Sequence, residues 1–409
     1  MTPQLRNRLT RSLERFVQWL SRYGETSPDH QSFFAGPLGG AAKRLYYQRP
    51  LPGTLAVSPM IFCEAFVPSA RRLFDSPRRF PIADAHYAMG FAMLSQIMED
   101  SRHYERSVHF LRMLQQTRAP GYGRYCWGYP FDWVTKGGTI HAGTPLITTT
   151  PYAYEAFSLA YDLDGNPEWL TVMHSIAEHA SDEIKDRETS PDAGTCSYTP
   201  EGLWGVVNAS AYRAFLLTSA AERFRNEHYR RSAERNLNFV LQSQKPDGSW
   251  PYAVDTVRDF VDHYHTCFVL KALAKMEALT GHRKCLEAIE RGVEYYRQNL
   301  FDEQGLPKPF SKAPRLTVYR RELYDYAECV NLCALLKDRF TVLNDTLASV
   351  LDDLLCRWQK PDGSFRSRKL LLGWDNIPMH RWAQAQMFRS LVFLLYRDRQ
   401  ENHSGQGRG

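Results

Sequence analysis

Two aspartates and two histidines lie in the short stretch from Asp259 to His265 of this sequence. A histidine and a carboxylate within one helical turn can act as a general base and the group that orients it. On a helix, Asp262 and His265 share one face while the other two residues share a different face, so only one pair can meet a cavity. We predict that Asp262, His263 and His265 are catalytic and that Asp259 binds substrate. In the alternative interpretation, Asp262 caps a helix and His265 packs in its wall.

A second candidate site lies in the long connection after residue 117, at Gly128-Tyr-Pro-Phe-Asp-Trp133. Aromatic faces can stack on the C–H bonds of a sugar ring, and a carboxylate between them can take hydroxyl groups or a proton. We predict a catalytic role for Asp132 and substrate contacts for Tyr129, Trp133 and His141. Alternatively, this loop only packs its tryptophans into one end of the molecule.

Cationic and phenolic side chains cluster at Arg320-Arg-Glu-Leu-Tyr324. Arginine forks hold carboxylates through paired hydrogen bonds, and a neighbouring tyrosine can then exchange a proton beside that carboxylate. We predict that Tyr324 is catalytic and that the preceding Arg320, Arg321 and Glu322 bind substrate. An ion-paired helix start is the alternative. Four further substrate contacts are predicted near helix starts: Asn208, Tyr212, Trp374 and His380.

Helices must position these residues, because apolar side chains recur at helical spacing through most of the chain. Strand-like alternation is scarce, so the predicted class is all-α. The predicted helices cover 58–76, 81–98, 102–117, 148–163, 166–184, 203–224, 226–243, 258–279, 281–299, 321–339, 342–358 and 377–396.

A turn rich in Asp and Gly recurs along these helices. Its copies are Pro191-Asp-Ala-Gly194, Pro246-Asp-Gly248, Asp302-Glu-Gln-Gly305 and Pro361-Asp-Gly363. A fixed period with two helices per unit indicates a helical repeat. Six units, with the N-terminal helix as partner of the last, predict a closed (α/α)6 toroid, whereas an open solenoid would leave an apolar face at each end. The inner helices of a toroid begin at one mouth, where their positive ends favour anions.

The domain prediction follows from this repeat. We predict one toroid domain over residues 1–409, with an N-terminal helix at 3–24 and a loop at 24–57 packed on it, and a disordered tail at 398–409. The apolar face of helix 3–24 either docks on the domain or contacts a membrane surface. No apolar run has the length of a transmembrane helix, and no signal peptide is visible.

The composition of the chain argues against several classes of partner and cofactor. The formal net charge is +6 and the cations are scattered, which argues against a nucleic-acid partner. The eight cysteines are dispersed without a C-x-x-C pair, as expected for reduced thiols in a cytoplasmic protein. The sequence has no dinucleotide or phosphate-binding glycine motif and no zinc helix, so we predict no cofactor and no metal.

Several of these motifs resemble known families. The turn Gln244-Lys-Pro-Asp-Gly-Ser-Trp250 is similar to the repeats of terpenoid cyclase and prenyltransferase toroids. Residues 247–252 and 262–273 resemble the C-terminal domain of D-glucuronyl C5-epimerases, whose β-rich N-terminal part has no counterpart in this sequence. Residues 126–133 and 144–151 resemble (α/α)6-toroid proteins encoded with bacterial exopolysaccharide assembly enzymes.

The resemblance implies an enzyme of polysaccharide biosynthesis or modification. Its substrate would be a glycan that is lipid-linked or contains uronic acid, and its reaction would be proton abstraction, by an epimerase or a lyase. Two alternatives stay open: a glycoside hydrolase with two carboxylates such as Asp132 and Asp262, and a non-catalytic glycan-binding subunit. The expected location is the cytoplasm, with membrane association and contacts to other polysaccharide-assembly proteins as further expectations.

Overall fold

The computed structural model describes residues 1–314 and 317–406, with side chains through residue 402. Its helices are α1 Pro3–Tyr23, α2 Ser32–Ala35, α3 Pro37–Gln48, α4 Pro50–Phe66, α5 Arg71–Phe74, α6 Pro81–Met98, α7 Ser101–Gln116, α8 Thr150–Asp164, α9 Pro167–Glu178, α10 Val207–Phe224, α11 Glu227–Gln242, α12 His263–Thr280, α13 Arg283–Asn299, α14 Leu323–Leu336, α15 Leu343–Asp353 and α16 Ala385–Gln406.

Short strands occupy the connections between the helices. They are β1 Trp133–Thr135, β2 Gly138–Ile140, β3 Asp186–Ser190, β4 Ala193–Cys196, β5 Val261–Asp262, β6 Phe310–Lys312, β7 Tyr319–Glu322, β8 Arg368–Leu370 and β9 Trp374–Asp375. All these strand pairings are antiparallel. Strands β1 and β2, β3 and β4, and β5 and β6 form two-stranded sheets, and β7, β8 and β9 form a three-stranded sheet with β8 in the middle.

Six helices form a closed inner ring, and this confirms the predicted (α/α)6 toroid. Helices α6, α8, α10, α12, α14 and α16 each contact the next in that order, and α16 contacts α6. Five outer helices, α7, α9, α11, α13 and α15, each pack on the inner helix that precedes them, and α1 packs on α16. Inner helices are buried on nearly all sides, whereas outer helices bury one apolar stripe.

Helix α1 takes the sixth outer position. Its buried residues Leu9, Leu13, Phe16 and Leu20 follow helical spacing, and Phe16 stacks on Phe388 of α16 with ring centroids 5.3 Å apart. This apolar stripe is therefore part of the core. Of the two interpretations of residues 3–24, docking on the domain accounts for the stripe, and no apolar face of α1 is left for a membrane.

Polar side chains pair with each other inside the ring. Lys275 of α12 pairs with Glu155 of α8, two helices that are not neighbours in the ring, so this contact crosses the interior. Lys271 pairs with Glu328, and Arg389 donates to Asn331 at 2.9 Å. Burial lowers the pKa of Lys275 to about 8. These contacts close the ring below the ends where the inner helices begin.

The recurring turns belong to the scaffold. Asp247 accepts hydrogen bonds from the Ser249 amide at 2.9 Å and hydroxyl at 2.7 Å, and Asp362 accepts the same two bonds from Ser364 at the same distances. Trp250 is 3% exposed. The copy of the turn at Pro191–Gly194 differs from the others. Its Asp192 lies in the turn between strands β3 and β4 rather than after a helix.

The prediction of a loop at 24–57 is wrong for most of that segment, which holds α2, α3 and the start of α4. Three of its four prolines, Pro37, Pro50 and Pro52, stand in the first turns of helices, where the missing N–H costs nothing. Its glycines permit close packing: a Cβ on Gly53 would lie 2.2 Å from the Cα of Tyr46. Proline and glycine thus mark helix starts and contacts here, not a loop.

The chain end also differs from the expected disordered tail at 398–409. Helix α16 continues to Gln406, and Asp398 is buried and accepts from Arg6 at 2.6 Å. Residues 407–409 lie outside the described part of the chain. Several inner helices also begin later than predicted, because short strands such as β5 and β7 occupy the predicted starts.

Candidate active site

Asp262 and His265 form a hydrogen-bonded pair at the start of α12. Strand β5 ends at Asp262, whose carboxylate accepts from the His265 amide at 3.0 Å and from His265 Nδ1 at 2.6 Å. The Asp262 side chain is 1% exposed and the His265 side chain 18%. Within the described residues, His265 Nε2 makes no hydrogen bond. Asp262 therefore both caps α12 and orients the His265 ring. The sequence had left these two arrangements open as alternatives.

His265 belongs to a wall of aromatic rings that we call the aromatic mouth. Ring centroids of His265 and Tyr264 lie 4.4 Å apart, and those of Tyr264 and Tyr324 lie 5.0 Å apart. Tyr324 continues the wall to Trp382, at 4.3 Å. The aromatic mouth comprises Tyr129, Tyr252, Tyr264, His265, Tyr324 and Trp382.

Arg381 joins Tyr129 to this wall. Its guanidinium lies 4.4 Å from the Tyr129 ring centroid and donates to Asp29 at 2.9 and 2.6 Å. Burial acts to raise the pKa of Asp29, but Arg381 and His30 together hold it well below its usual range. The Arg381 cation is thus buried beside the mouth with its counter-ion already present.

His30 stacks on Trp382 with ring centroids 4.1 Å apart. Burial lowers the pKa of His30 to about 3, so the ring is neutral at pH 7. Sequence reasoning missed Asp29 and His30, because they lie in the segment predicted to be a loop and carry no local motif. Trp382 follows the predicted residue His380 by two positions, but it was not among the predicted site residues.

Tyr324 and Glu322 are both close to the mouth and have different roles. Burial, together with nearby Tyr152 and Glu328, raises the pKa of Tyr324 well above its usual value. The phenol therefore stays protonated and can donate a hydrogen bond. Glu322 accepts from Trp382 Nε1 at 2.7 Å and from Arg368 Nε at 3.1 Å, so it positions Trp382.

Two predicted residues lie deeper in the ring. Tyr212 shares a hydrogen bond of 2.5 Å with the Tyr152 hydroxyl, and its ring lies 5.2 Å from Phe268. Asn208 is 2% exposed, and its Oδ1 has no hydrogen-bond partner in the described chain.

Asp132 and His141 lie at the exposed base of the β1–β2 hairpin. Asp132 accepts from the Ala142 amide at 2.9 Å, and its other oxygen is 3.5 Å from His141 Nδ1. Their side chains are 49% and 77% exposed. Trp133 is 5.8 Å from Tyr129 by ring centroids, so it borders the aromatic mouth. In the described chain, no hydrogen bond or ion pair joins Asp132 to a residue of the mouth or to Asp262.

The predicted histidines His263 and His380 are structural. His263 lies between the Tyr296 hydroxyl at 2.7 Å and the Leu300 carbonyl at 3.1 Å, and burial lowers its pKa to about 3. His380 contacts the Tyr87 hydroxyl at 2.7 Å, and burial lowers its pKa to about 4. Both rings are packed in the core, because each lies on the face of its segment that meets an outer helix.

The remaining predicted residues point to other surfaces. Arg321 pairs with Asp302, Asp259 pairs with Lys312, and Arg320 is exposed. Arg321 and Trp374 line an open cleft of about 380 Å³ outside the ring, together with Asp353, Cys356, Arg357, Trp358, Arg366 and Lys369. A strand alternates its side chains, which is why Arg321 faces this cleft while Glu322 faces Trp382.

Asp325 is a buried carboxyl near the Asp262–His265 pair. It was not among the predicted site residues. It is 0% exposed, and neither carboxylate oxygen has a hydrogen-bond partner in the described residues. Burial raises its pKa well above the usual value, and the charges of Glu322 and Asp262 act in the same direction. Burial and these neighbouring charges therefore favour the neutral form of the Asp325 carboxyl behind the mouth.

One group in the described part of the chain has the composition of a metal site: Cys126, His179 and Glu183, whose ligand atoms lie within 4.8 Å of one another. His179 Nδ1 is 2.5 Å from Glu183, and Arg124 lies 3.7 Å from the same carboxylate. These partners account for the Glu183 carboxylate without an ion. The group contacts no residue of the aromatic mouth.

No model of a known protein family matches this chain, and no curated protein matches its sequence. Solved structures match its fold. The cellobiose 2-epimerase from Bacillus thermoamylovorans B4167 superposes with a TM-score of 0.62 at 10% identity, over 78% of this chain and 88% of the epimerase. A polysaccharide lyase superposes with a TM-score of 0.56 at 11% identity, over 84% and 97% of the two chains.

The GH76A α-1,6-mannanase from Salegentibacter sp. HEL1_6 is also similar, with a TM-score of 0.55 at 12% identity over 79% of this chain and 90% of the mannanase. These structures are thus an epimerase, a lyase and a glycoside hydrolase that share one architecture. At such low sequence identity the comparisons show the fold of this chain alone, an (α/α)6 toroid.

Proposed function

We propose that this protein is a carbohydrate-active enzyme that moves a proton at a sugar carbon next to a carbonyl or carboxylate group. The observation that carries the proposal is the Asp262–His265 pair, in which Nδ1 is held at 2.6 Å and Nε2 makes no hydrogen bond in the described chain. The pair stands in a wall of aromatic rings at the end of a toroid. Similar toroids include sugar epimerases and a polysaccharide lyase.

In this mechanism His265 Nε2 takes the proton from the sugar carbon. Asp262 accepts the Nδ1–H, fixes the tautomer, and stabilises the imidazolium that forms. Asp262 cannot turn away, because its other oxygen caps α12. The protonated Tyr324 phenol can donate to the oxygen on which negative charge develops. If the intermediate turns its opposite face to the His265 imidazolium, return of the proton to that face gives an epimer. Loss of a leaving group at the next carbon instead gives an unsaturated product.

The substrate we expect is a glycan that contains uronic acid or is lipid-linked, as for the C5-epimerases that residues 247–273 resemble. The cation for its carboxylate would be Arg381 rather than Arg320 or Arg321, because Arg381 contacts the mouth residue Tyr129. Asp29 already balances Arg381, which favours a neutral carbonyl at this position as much as a carboxylate. A neutral disaccharide is therefore the second substrate class to test.

The test is incubation of the full chain with uronic-acid oligosaccharides and with neutral disaccharides in deuterated water, followed by NMR and mass spectrometry. Deuterium at C5 or C2 of the recovered sugar, or an unsaturated uronide that absorbs in the ultraviolet, would support proton abstraction. His265→Gln should remove this signal. The matched control is His228→Gln, an exposed histidine on an outer helix, which should retain it.

Two outcomes would overturn the proposal. New reducing ends without deuterium on carbon would identify a glycoside hydrolase. Saturable glycan binding without any turnover, unchanged in His265→Gln, would identify a glycan-binding subunit.

A further inference from the structure

Helix α4 exposes a row of large apolar side chains. Leu51 is 85% exposed, Leu55 77%, Phe62 59% and Phe66 53%. Their spacing of four, seven and four residues puts them on one face of the helix, and the rings of Phe62 and Phe66 contact each other at 5.0 Å. We call these four side chains the α4 ridge.

The ridge is not the core face of α4. The buried residues Gly53, Val57 and Met60 lie on the other side, against the protein. A helix that is apolar on both faces is normally buried all round. Scattered exposed leucines need no explanation, but a contiguous apolar face marks an interaction site. The described chain has no segment that covers the ridge. Its partner is therefore expected to be another molecule.

The helices before and after α4 in the chain also each expose a large apolar side chain. Leu38, at the start of α3, is 82% exposed, and Leu73, in α5, is 86% exposed. No single described helix is long and apolar enough to cross a membrane, whereas the bent pair Pro50–Phe66 and Pro68–Phe74, at 119°, meets that test by length and composition.

The charges around the ridge are positive. Residues 37–74 contain five cations and one acid, Glu64. Glu64 pairs inward with Arg368 at 2.6 Å, and the inward Arg71 is likewise paired with Asp375. The exposed cations of this segment are Arg44, Arg49 and Arg72. The outer surface is therefore apolar with cationic flanks and no exposed acid.

We propose that the α4 ridge docks this protein on the surface of a membrane that contains anionic lipids. Apolar side chains flanked by arginines are the composition of helices that lie in the lipid interface, where the cations meet headgroup phosphates. A second copy of this chain is a poorer partner, because it would bring the same cationic flanks together.

Docking would also set the position of the aromatic mouth. Helix α3, which forms a hairpin with α4, packs on β1, and Trp133 of β1 borders the mouth. The ridge and the rim of the mouth are thus linked through one packed unit. A membrane-docked chain would hold this rim near the lipid surface, which suits a glycan attached to a lipid.

The experiment is sedimentation of the full chain with vesicles of phosphatidylcholine alone and of phosphatidylcholine mixed with phosphatidylglycerol. We expect binding to the anionic vesicles that weakens as salt rises. The triple variant Leu51→Gln, Leu55→Gln, Phe62→Gln should bind at least about tenfold more weakly, because each side chain loses its apolar transfer energy. The double variant Arg49→Gln, Arg72→Gln should lose the preference for anionic lipid.

The matched control is Leu279→Gln, Val342→Gln, Leu372→Gln, which removes three exposed apolar side chains elsewhere on the surface. Its binding should equal that of the unchanged protein. Circular dichroism checks that each variant is folded. A positive reporter is Phe62→Trp, whose added fluorescence should be quenched by brominated lipid.

Three results would overturn the proposal: no binding to anionic vesicles, equal loss in the ridge and control variants, or no quenching of Phe62→Trp by brominated lipid. If the chain instead forms dimers that only the ridge variant abolishes, the ridge is a self-association face. The proposed reaction is independent of these outcomes, because its assay uses soluble sugars.

Discussion

At the residue scale, Asp262 combines two roles that are usually considered alternatives. One oxygen caps α12 and the other holds His265, so the helix start itself fixes the geometry of the base. His263 is also a histidine and lies two residues before His265, but it faces the outer layer. There it contacts the Tyr296 hydroxyl and the Leu300 carbonyl. A shift of two residues along the helix separates the candidate base from a structural histidine.

The first prediction concerns this pair. His265→Gln should lower kcat by about 10²–10⁴-fold, because general base catalysis contributes a factor of this size. Asp262→Asn should lower activity too, while the thermal midpoint changes little, since Asn also caps helices well. Kinetics and thermal unfolding measured on the same samples test this separation. A large stability loss with unchanged kcat per folded molecule would contradict it.

The second prediction concerns Trp382. If its ring stacks on the substrate, Trp382→Ala should reduce kcat/KM by about tenfold, mainly through KM, because the substrate loses a contact made in both ground and transition states. Substrate titration gives the two constants. A fall in kcat alone would instead indicate that Trp382 positions Tyr324, which it contacts at 4.3 Å.

At the element scale, the Asp-Gly turns explain how one scaffold unit repeats. Gly363 has φ 99°, and a Cβ there would lie 2.2 Å from the Arg15 carbonyl of α1. The turn after α15 thus requires glycine both for its backbone and for the close approach of α1. Gly305 has φ 72°, but a Cβ there would meet nothing within 4 Å.

The third prediction compares these two glycines. Gly305→Ala should cost about 1 kcal/mol, the backbone strain alone. Gly363→Ala should cost clearly more, because the added methyl also displaces α1 from the ring. Urea unfolding measures both values. Equal costs for the two variants would show that α1 does not pack rigidly against this turn.

At the scale of the whole molecule, buried neutral histidines make the fold sensitive to acid. The pKa values of His30 and His263 are lowered to about 3 and that of His380 to about 4, from an unfolded value near 6.5. Below about pH 6.5 the unfolded chain binds protons that the folded chain does not. Stability is therefore full above this pH and is lost as the pH falls.

The fourth prediction is the size of this loss. Each of these histidines should lower the free energy of unfolding by about 1.4 kcal/mol per pH unit between about pH 6 and pH 4. Urea unfolding at several pH values measures the slope. His263→Gln should reduce the slope by about 1.4 kcal/mol per pH unit, while the exposed His228→Gln should leave it unchanged. A slope that is the same in both variants would show that His263 is not buried in its neutral form.

Local patterns in the sequence were sufficient to predict the fold. Apolar spacing placed the helices, and the Asp-Gly turns gave their pairing and the ring, since both signals are set by neighbouring residues. They failed at 24–57, where the same glycines and prolines serve helix starts and close helix contacts. A glycine looks alike in a loop and at a helix crossing, and only its packing partner distinguishes the two.

The candidate site divides in the same way. The sequence determined that Asp262 precedes His265 by three residues, and this spacing alone lets a capping carboxylate reach His265. Only the tertiary structure decided that His263 and His380 face the core and that Arg321 faces an outer cleft. It also brought Arg381 and Trp382 to the mouth, together with Asp29 and His30 from the opposite end of the chain. Contacts between residues more than three hundred positions apart depend on ring closure, and no local pattern records them.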